Sequence, residues 1–262
     1  MIRMARRVSR RKEPMREKHM LKEQTKVDAG VFDEKTMIAL SKFFNLGIIE
    51  KLGSPIARGK EADLYLADPG KSEKVKGMQQ VVMKFFRIET SSFFKMESYI
   101  IGDPRFQKKT TRKSKYGIVM VWCKKEFDNL KVAERAGVPA PIPLLANKSI
   151  LAMSYIGDEN GPAPRLKEVE LDNPTEVLEQ VLLDMKKLYG KRLVHADVSE
   201  YNVLIQDRKP YMIDFGQAVS TDHPNAVAFL RRDIRNITNY FSKKYGVEKD
   251  GEETLKWIAG SG

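Results

Sequence analysis

The chain has 262 residues, with 47 Lys and Arg against 35 Asp and Glu, a formal charge of +12 and a single cysteine. One cysteine excludes an internal disulfide, and three scattered histidines argue against a zinc cluster, so any metal is expected to be an oxygen-bound ion such as magnesium. No apolar run reaches the ~18 residues of a membrane span, and the Arg-rich start is not followed by an apolar stretch, so the expectation is a cytoplasmic protein without a secretory signal.

Residues 1–26 hold ten Lys/Arg and three Glu, a basic and flexible tail. A second block, Arg105 to Lys115, has six positive and no negative residues. Blocks of one sign bind phosphate backbones through counterion release, which points to nucleic acid or ribonucleoprotein, although a merely solvated arm has the same composition. After the tail, Asp33 can cap an accessory helix carrying Met37, Leu40 and Phe44 and ending near Gly47. Ile56 to Ala67 and Val81 to Ile88 read as strands of an antiparallel sheet, with Asp68 to Ser72 as the turn between them. Lys84 lies in the second strand, among Val82, Met83, Phe85 and Phe86, where a buried ammonium needs a partner.

Residues 89–117 show no lasting periodicity and read as a long mobile excursion. From Ile118 the pattern is helical, with Trp122, Glu126, Leu130 and Ala133 on one face and Gly137 and Pro139 ending it. Glu126 on that apolar stripe is the natural partner of Lys84; the alternative is that Lys84 snorkels and Glu126 sits at the edge of the stripe. Ser149 to Gly157 reads as an edge strand running into an interlobe hinge at 153–157. Met153 would border an adenine pocket, and backbone groups around Ser154 and Ile156 would bind the base. Asn173 and Pro174 open a long helix, with Glu176 completing a capping box and Val177, Val181, Met185 and Leu188 forming its stripe. A last helix near Pro224 places Val227, Leu230, Ile234, Ile237 and Phe241 in the core.

Between those two helices stand His195-Ala-Asp-Val-Ser-Glu-Tyr-Asn202 and Ile213-Asp-Phe-Gly-Gln217. In the protein-kinase pattern H-x-D-x-x-x-x-N the Asp orients the attacking hydroxyl, the Asn holds magnesium, and the Asp of D-F-G holds magnesium against the phosphates. Asp197, Asn202 and Asp214 fit these roles. Val203–Ile205 and Tyr211–Ile213 form two short strands around a turn, which would bring both carboxylates to one site. No A-P-E segment follows Asp214. The fold class is therefore α+β: a two-lobed kinase-like fold with an antiparallel sheet in the N-lobe (27–152, with the accessory helix) and a reduced, mostly helical C-lobe (158–262).

The chain resembles the RIO family of atypical protein kinases, the RIO-one type more than the RIO-two type, over roughly residues 30–245. The resemblance rests on Gly59-Lys-Glu-Ala-Asp-Leu-Tyr65, Gly102-Asp-Pro-Arg-Phe106, Asn129-Leu-Lys with Ala136-Gly-Val-Pro-Ala-Pro141, the two catalytic segments, and His223-Pro-Asn-Ala with Phe229-Leu-Arg-Arg-Asp233. It implies ATP and Mg2+, with Mn2+ as a substitute ion. Lys84, paired with Glu126, would anchor ATP, which is also bordered by Ile56, Lys60, Met153, Ser154 and Ile156. Asp197 would be the catalytic base, and Asn202 and Asp214 the metal ligands. It further implies transient phosphorylation of Asp214 and a Ser/Thr kinase or ATPase activity in maturation of the small ribosomal subunit and its RNA; autophosphorylation is expected at the exposed-looking hydroxyls of the mobile basic segment, Thr110, Thr111 and Ser114, and at Ser91 and Ser92 near its start. Ala57 departs from the small hydroxyl residue usual in the phosphate loop, a loss for which Arg58 or Lys60 could compensate. Two rival readings stand beside this one: a small-molecule phosphotransferase of the aminoglycoside kind, and a non-catalytic ATP-binding RNA assembly factor.

Overall fold

The computed structural model describes residues 32–88, 93–106 and 114–260. The basic tail, the middle of the second basic block, and Ser91, Ser92, Thr110 and Thr111 lie outside these residues. Ser114 is described, and it caps a helix: its Oγ accepts from Gly117 N at 3.1 Å.

Helix α1 (Glu34–Asn45) starts where the sequence predicts, with Asp33 Oδ1 accepting from Thr36 N at 2.8 Å. Its buried face centres on Ala39, Leu40 and Phe43, and Phe44 is only half-buried. Strands β1 (Ile49–Arg58), β2 (Ala62–Pro69), β3 (Val81–Phe86), β4 (Pro143–Asn147) and β5 (Ile150–Ser154) form one antiparallel sheet in the order β1-β2-β3-β5-β4. The expected single strand from Ile56 to Ala67 is in fact two, broken at Gly59 to Glu61, where the chain reverses and Gly59 N donates to Ala62 O. Strand β5 is not an edge strand, because β4 pairs outside it. Pro143 and Asn147 hid β4 from a reading by strand composition.

Alternation along β3 decides which of its residues face the cleft. Val81, Met83 and Phe85 pack with Leu40, Phe43 and Leu52 on the α1 side, whereas Val82 and Phe86 join the larger core. Since side chains alternate with period two, Lys84 is carried on the face of Val82 and Phe86. Met153 of β5 falls on that same side, with Leu151. Helix α3 (Lys115–Arg135) packs there and buries Trp122, Glu126, Leu130 and Ala133.

The expected excursion at 89–117 contains structure. Helix α2 (Phe93–Ile101) buries Met96 and Ile100, and α3 begins at Lys115 rather than Ile118. After α2, the Gly102–Phe106 segment docks on the C-lobe: buried Asp103 accepts from Ser220 N and from the Arg105 guanidinium, and Tyr99 stacks on Phe229 at 5.1 Å. A Cβ on Gly102 would lie 2.1 Å from His223 Nε2. The His223 ring cannot swing aside, being held between Ser98 O and Asn225 N. Gly102→Ala is therefore expected to lower stability by about 2 kcal/mol, read as a shift in the urea midpoint at unchanged slope.

In the C-lobe, α4 (Pro174–Gly190) buries Val177, Val181, Met185 and Leu188, as its period predicts. The expected capping box is absent: Asn173 makes no cap bond, and its amide donates instead to Glu176 Oε2 at 3.3 Å. Short strands β6 (Gly157–Asp158) and β7 (Gly161–Pro162) pair after the sheet, and β8 (Leu193–Val194) pairs with β11 (Val219–Ser220) on either side of the catalytic segments. Between them, β9 (Val203–Gln206) and β10 (Lys209–Met212) form a hairpin whose turn residues Asp207 and Arg208 both take left-handed φ. That turn twists with its strands, which sets β9 and β10 in register. Helix α5 (Ala226–Tyr245) buries Leu230, Ile234, Ile237 and Phe241, but Val227, expected in the core with them, is half exposed. Helix α6 (Gly251–Ala259), unforeseen, packs on α4 and α5. Among the described residues, no helix is long and apolar enough to cross a membrane.

Candidate active site

A cleft of about 920 Å3 runs between the sheet and the helical lobe. Its walls include Ile56, Lys60, Lys84, Glu126, Met153, Ser154, Ile156, Asn202 and Asp214. Ala57 and Arg58 of the departing phosphate loop line it as well.

Lys84 Nζ donates to both Glu126 oxygens, at 2.8 and 2.9 Å, and to Asp214 Oδ1 at 3.1 Å. The strand lysine thus joins the helix glutamate to the D-F-G carboxylate. The snorkelling alternative is excluded, because Lys84 is buried and Glu126 is only 1 % exposed. Burial alone would lower the Lys84 pKa, but the Asp214 and Glu126 carboxylates outweigh it and hold the ammonium well above its ordinary value. Lys84 in turn pulls Asp214 below the usual carboxylate range. Burial pushes Glu126 the other way, to about 7.

Asp197 sits one hydrogen bond from the cleft wall. Its Oδ2 accepts from Asn202 Nδ2 at 2.9 Å and from Gln217 Nε2 at 3.0 Å. Desolvation, then the nearby Asp214 charge, raises it to about 6. The Asn202 amide nitrogen also reaches Asp197 O at 2.9 Å, which leaves the Asn202 carbonyl oxygen as its hard donor toward the cleft. Asp214 Oδ1 is engaged by Lys84, and Asp214 has a left-handed φ of 64°. An amide oxygen and a carboxylate fit a magnesium ion that completes its shell with phosphate oxygens and water. Among the described residues, no cluster of three His, Cys, Asp or Glu offers an all-protein metal site.

The two catalytic segments are tied to each other and to α5. Buried His195 is held neutral at a pKa of about 4 by desolvation, so its Nε2–H donates to Ile213 O at 3.1 Å. Asp233 accepts from Val198 N at 3.2 Å, and Arg232 donates to Ala196 O, whose residue has a φ of 62°. Sequence reasoning gave no role to Gln217 or Asp233 beyond membership of matched motifs, and none to Lys125. The signal for Lys125 and Asp233 was present: a charged residue on an apolar helical face, which needs a buried partner.

A five-stranded antiparallel sheet over a helical lobe, with a lysine, glutamate and aspartate meeting at the cleft between them, defines a protein-kinase-like fold and site. Comparison with known proteins narrows this. A model of the RIO domain matches residues 64–254. The RIO-type serine/threonine-protein kinase Rio1 of Haloferax volcanii is 40% identical over 91% of this chain and 79% of its own. Its namesake from Thermoplasma acidophilum is 47% identical over 70% of this chain and 96% of its own. Human serine/threonine-protein kinase RIO3 is 37% identical over 86% of this chain but only 45% of its own length. The crystal structure of the Rio2 kinase-ADP/Mg2+-phosphoaspartate complex from Chaetomium thermophilum shares the fold, with a TM-score of 0.65 at 23% identity over 87% of this chain and 67% of that one. The chain belongs to the RIO family of atypical kinases.

Proposed function

We propose that this protein is an ATP- and magnesium-dependent serine/threonine kinase or ATPase. The observation that carries the reading is the convergence of Lys84, Glu126, Asn202, Asp214 and Gln217 on one cleft, with Asp197 held at its wall by Asn202 and Gln217. Lys84, held by Glu126, would meet the α- and β-phosphates. Asn202 and Asp214 would hold the magnesium ion, which when bound neutralises charge on the phosphates during transfer. Asp197 would orient the attacking hydroxyl and take its proton. At the hinge, Ser154 N–H and Oγ are both engaged by Ile142, and the Ile156 carbonyl accepts from Ala163 N, so we assign the Ile156 N–H to the purine edge. Ile56 and Met153 would cover the ring.

A second reading, an ATPase switch through an acyl phosphate on Asp214, draws support from the phosphoaspartate in the Chaetomium Rio2 complex with ADP and Mg2+. A cytoplasmic role in small-subunit maturation rests on the family and on the two basic blocks, which suit a dense array of RNA phosphates. Mn2+ as an alternative ion rests on the same oxygen donors.

Incubation with γ-labelled ATP and magnesium, with and without small ribosomal subunits, tests these readings together. Label on protein that survives acid and hydroxylamine, as a phosphomonoester of Ser or Thr does, is expected for the kinase. Hydroxylamine-labile label, with free phosphate rising on addition of subunits, is expected for the switch, and absence of any magnesium-dependent turnover overturns both.

A further inference from the structure

Helix α3 sends four hydrogen bonds from one face into a single turn. Lys125 and Asn129, one helical turn apart, are both fully buried. Lys125 Nζ donates to Gly216 O at 2.8 Å and to Ala218 O at 2.5 Å. Asn129 Nδ2 donates to Phe215 O at 2.8 Å and to Ala218 O at 2.9 Å. Three carbonyls of the Phe215–Ala218 turn are thus held by side chains that come from 86 to 93 residues earlier in the sequence.

A buried ammonium whose hydrogen bonds all go to carbonyls costs several kcal/mol in desolvation, offset only in part by the Trp122 ring 5.2 Å from its Nζ, whereas methionine would fill the same volume without that cost. Stability alone therefore gives a poor reason for a cation at 125; what it holds gives a better one. The clamped turn begins next to Asp214, and its Gln217 donates to Asp197 Oδ2. The residue after Lys125 is Glu126, which holds Lys84.

Resting on the kinase reading of this cleft, we propose that Lys125 and Asn129 are positioning residues for phosphoryl transfer. They clamp the Phe215–Ala218 turn to α3, which sets Asp214 for the metal and, through Gln217, aims the Asp197 carboxylate. The helix and the metal-bearing turn then move as one body, so the Lys84–Glu126 pair and Asp214 are assembled or lost together. A lysine on the inner face of the helix thereby connects two halves of the site that ordinary packing would leave free to slide.

The test compares Lys125→Met, Gln217→Leu and the double variant in the full chain, measuring kcat, KM for ATP, the magnesium concentration for half-maximal rate, and the unfolding midpoint. Groups that orient a metal ligand from behind change metal affinity by about 10–100-fold. Lys125→Met is therefore expected to lower kcat and to raise the half-saturating magnesium by about tenfold or more, with KM for ATP within about threefold of the parent. Gln217→Leu is expected to lower kcat alone. The double variant should fall short of the product of the two kcat losses, because both act through one turn.

Folded Lys125→Met with the parent's kcat and magnesium dependence overturns the proposal. If that variant does not fold, Asn129→Ala, which removes two of the four bonds and leaves the ammonium in place, carries the same reading: a raised magnesium requirement supports the clamp, and an unchanged one overturns it. A parent chain with no magnesium-dependent turnover would overturn the kinase reading and this proposal together, whereas an active parent inactivated by Asp197→Asn but indifferent to Lys125→Met removes this proposal alone.

Discussion

Asp197→Asn is expected to reduce turnover by about a thousandfold while leaving ATP binding within a few-fold of the parent, since a positioned general base contributes about 10²–10⁴ in rate. The asparagine oxygen can still accept from Asn202 and Gln217, which now both meet Asp197 Oδ2, so the geometry of the loop should persist. Its fold should not suffer either. Desolvation and the Asp214 charge raise Asp197 to about 6, so the folded state holds its proton more tightly than the unfolded chain and the ionised form is a cost above that pH. Removing the charge relieves this cost. The same shift sets the acid limb of the parent's pH profile: the base must be deprotonated, so rate should fall about tenfold per pH unit below a midpoint near 6. An asparagine variant that turns over ATP at the parent rate would remove Asp197 from the chemistry. So would a rate independent of pH between 5 and 7.

Lys84→Met should do damage of two kinds, separable by pH. Activity should be lost by at least about a thousandfold, because the cation joining Glu126 to Asp214 is gone and the phosphates lose their anchor. Stability should fall by about 3 kcal/mol near pH 8, the usual result of leaving one member of a buried pair unpaired. Glu126, almost completely buried, is already raised to about 7 with Lys84 in place. Without the lysine it would rise further, and a carboxylate whose folded pKa exceeds its unfolded value loses stability as pH rises through that interval. Denaturant unfolding of Lys84→Met should therefore show the smallest deficit near pH 5 and the largest near pH 8. Adding Glu126→Leu should restore most of the stability and none of the activity, a coupling that a double-mutant cycle reads directly. If the deficit is the same at both pH values, the orphaned Glu126 is not its source.

Much of the site was legible in the amino-acid order. His195 to Asn202 and Ile213 to Gln217 carry their chemistry in contiguous residues at fixed spacing, and the β9–β10 hairpin that brings them together is set by local apolar runs and a turn. Lys84 and Glu126 announced one another because each is a charge placed on an apolar period, of two for the strand and near four for the helix. The places where the reading failed share a cause. The strand from Ile56 to Ala67 was read straight through the polar stretch Arg58-Gly59-Lys60-Glu61, and the reversal there, closed by a backbone bond to Ala62, divides it. Strand β4 was missed because its proline and asparagine are tolerated only on the outer edge of a sheet whose order was unknown. Helix α2 lies in a stretch where the sequence shows no lasting period, and its Met96 and Ile100 are buried by tertiary contact.

The sequence by itself determined the catalytic segments, the periods of the long helices, and which buried charges needed partners, since all of these are written in neighbouring residues. Only the tertiary structure decided who those partners are beyond the nearest candidate: Lys125 on the carbonyls of Gly216 and Ala218, Gln217 on Asp197, Asp233 beneath Val198, and Asp103 against Ser220. Each is a hydrogen bond between residues 20 to 117 positions apart. Nothing in local propensity encodes such a pairing; it follows from strand order, from the docking of helices, and from the requirement that a polar group leaving water find another inside.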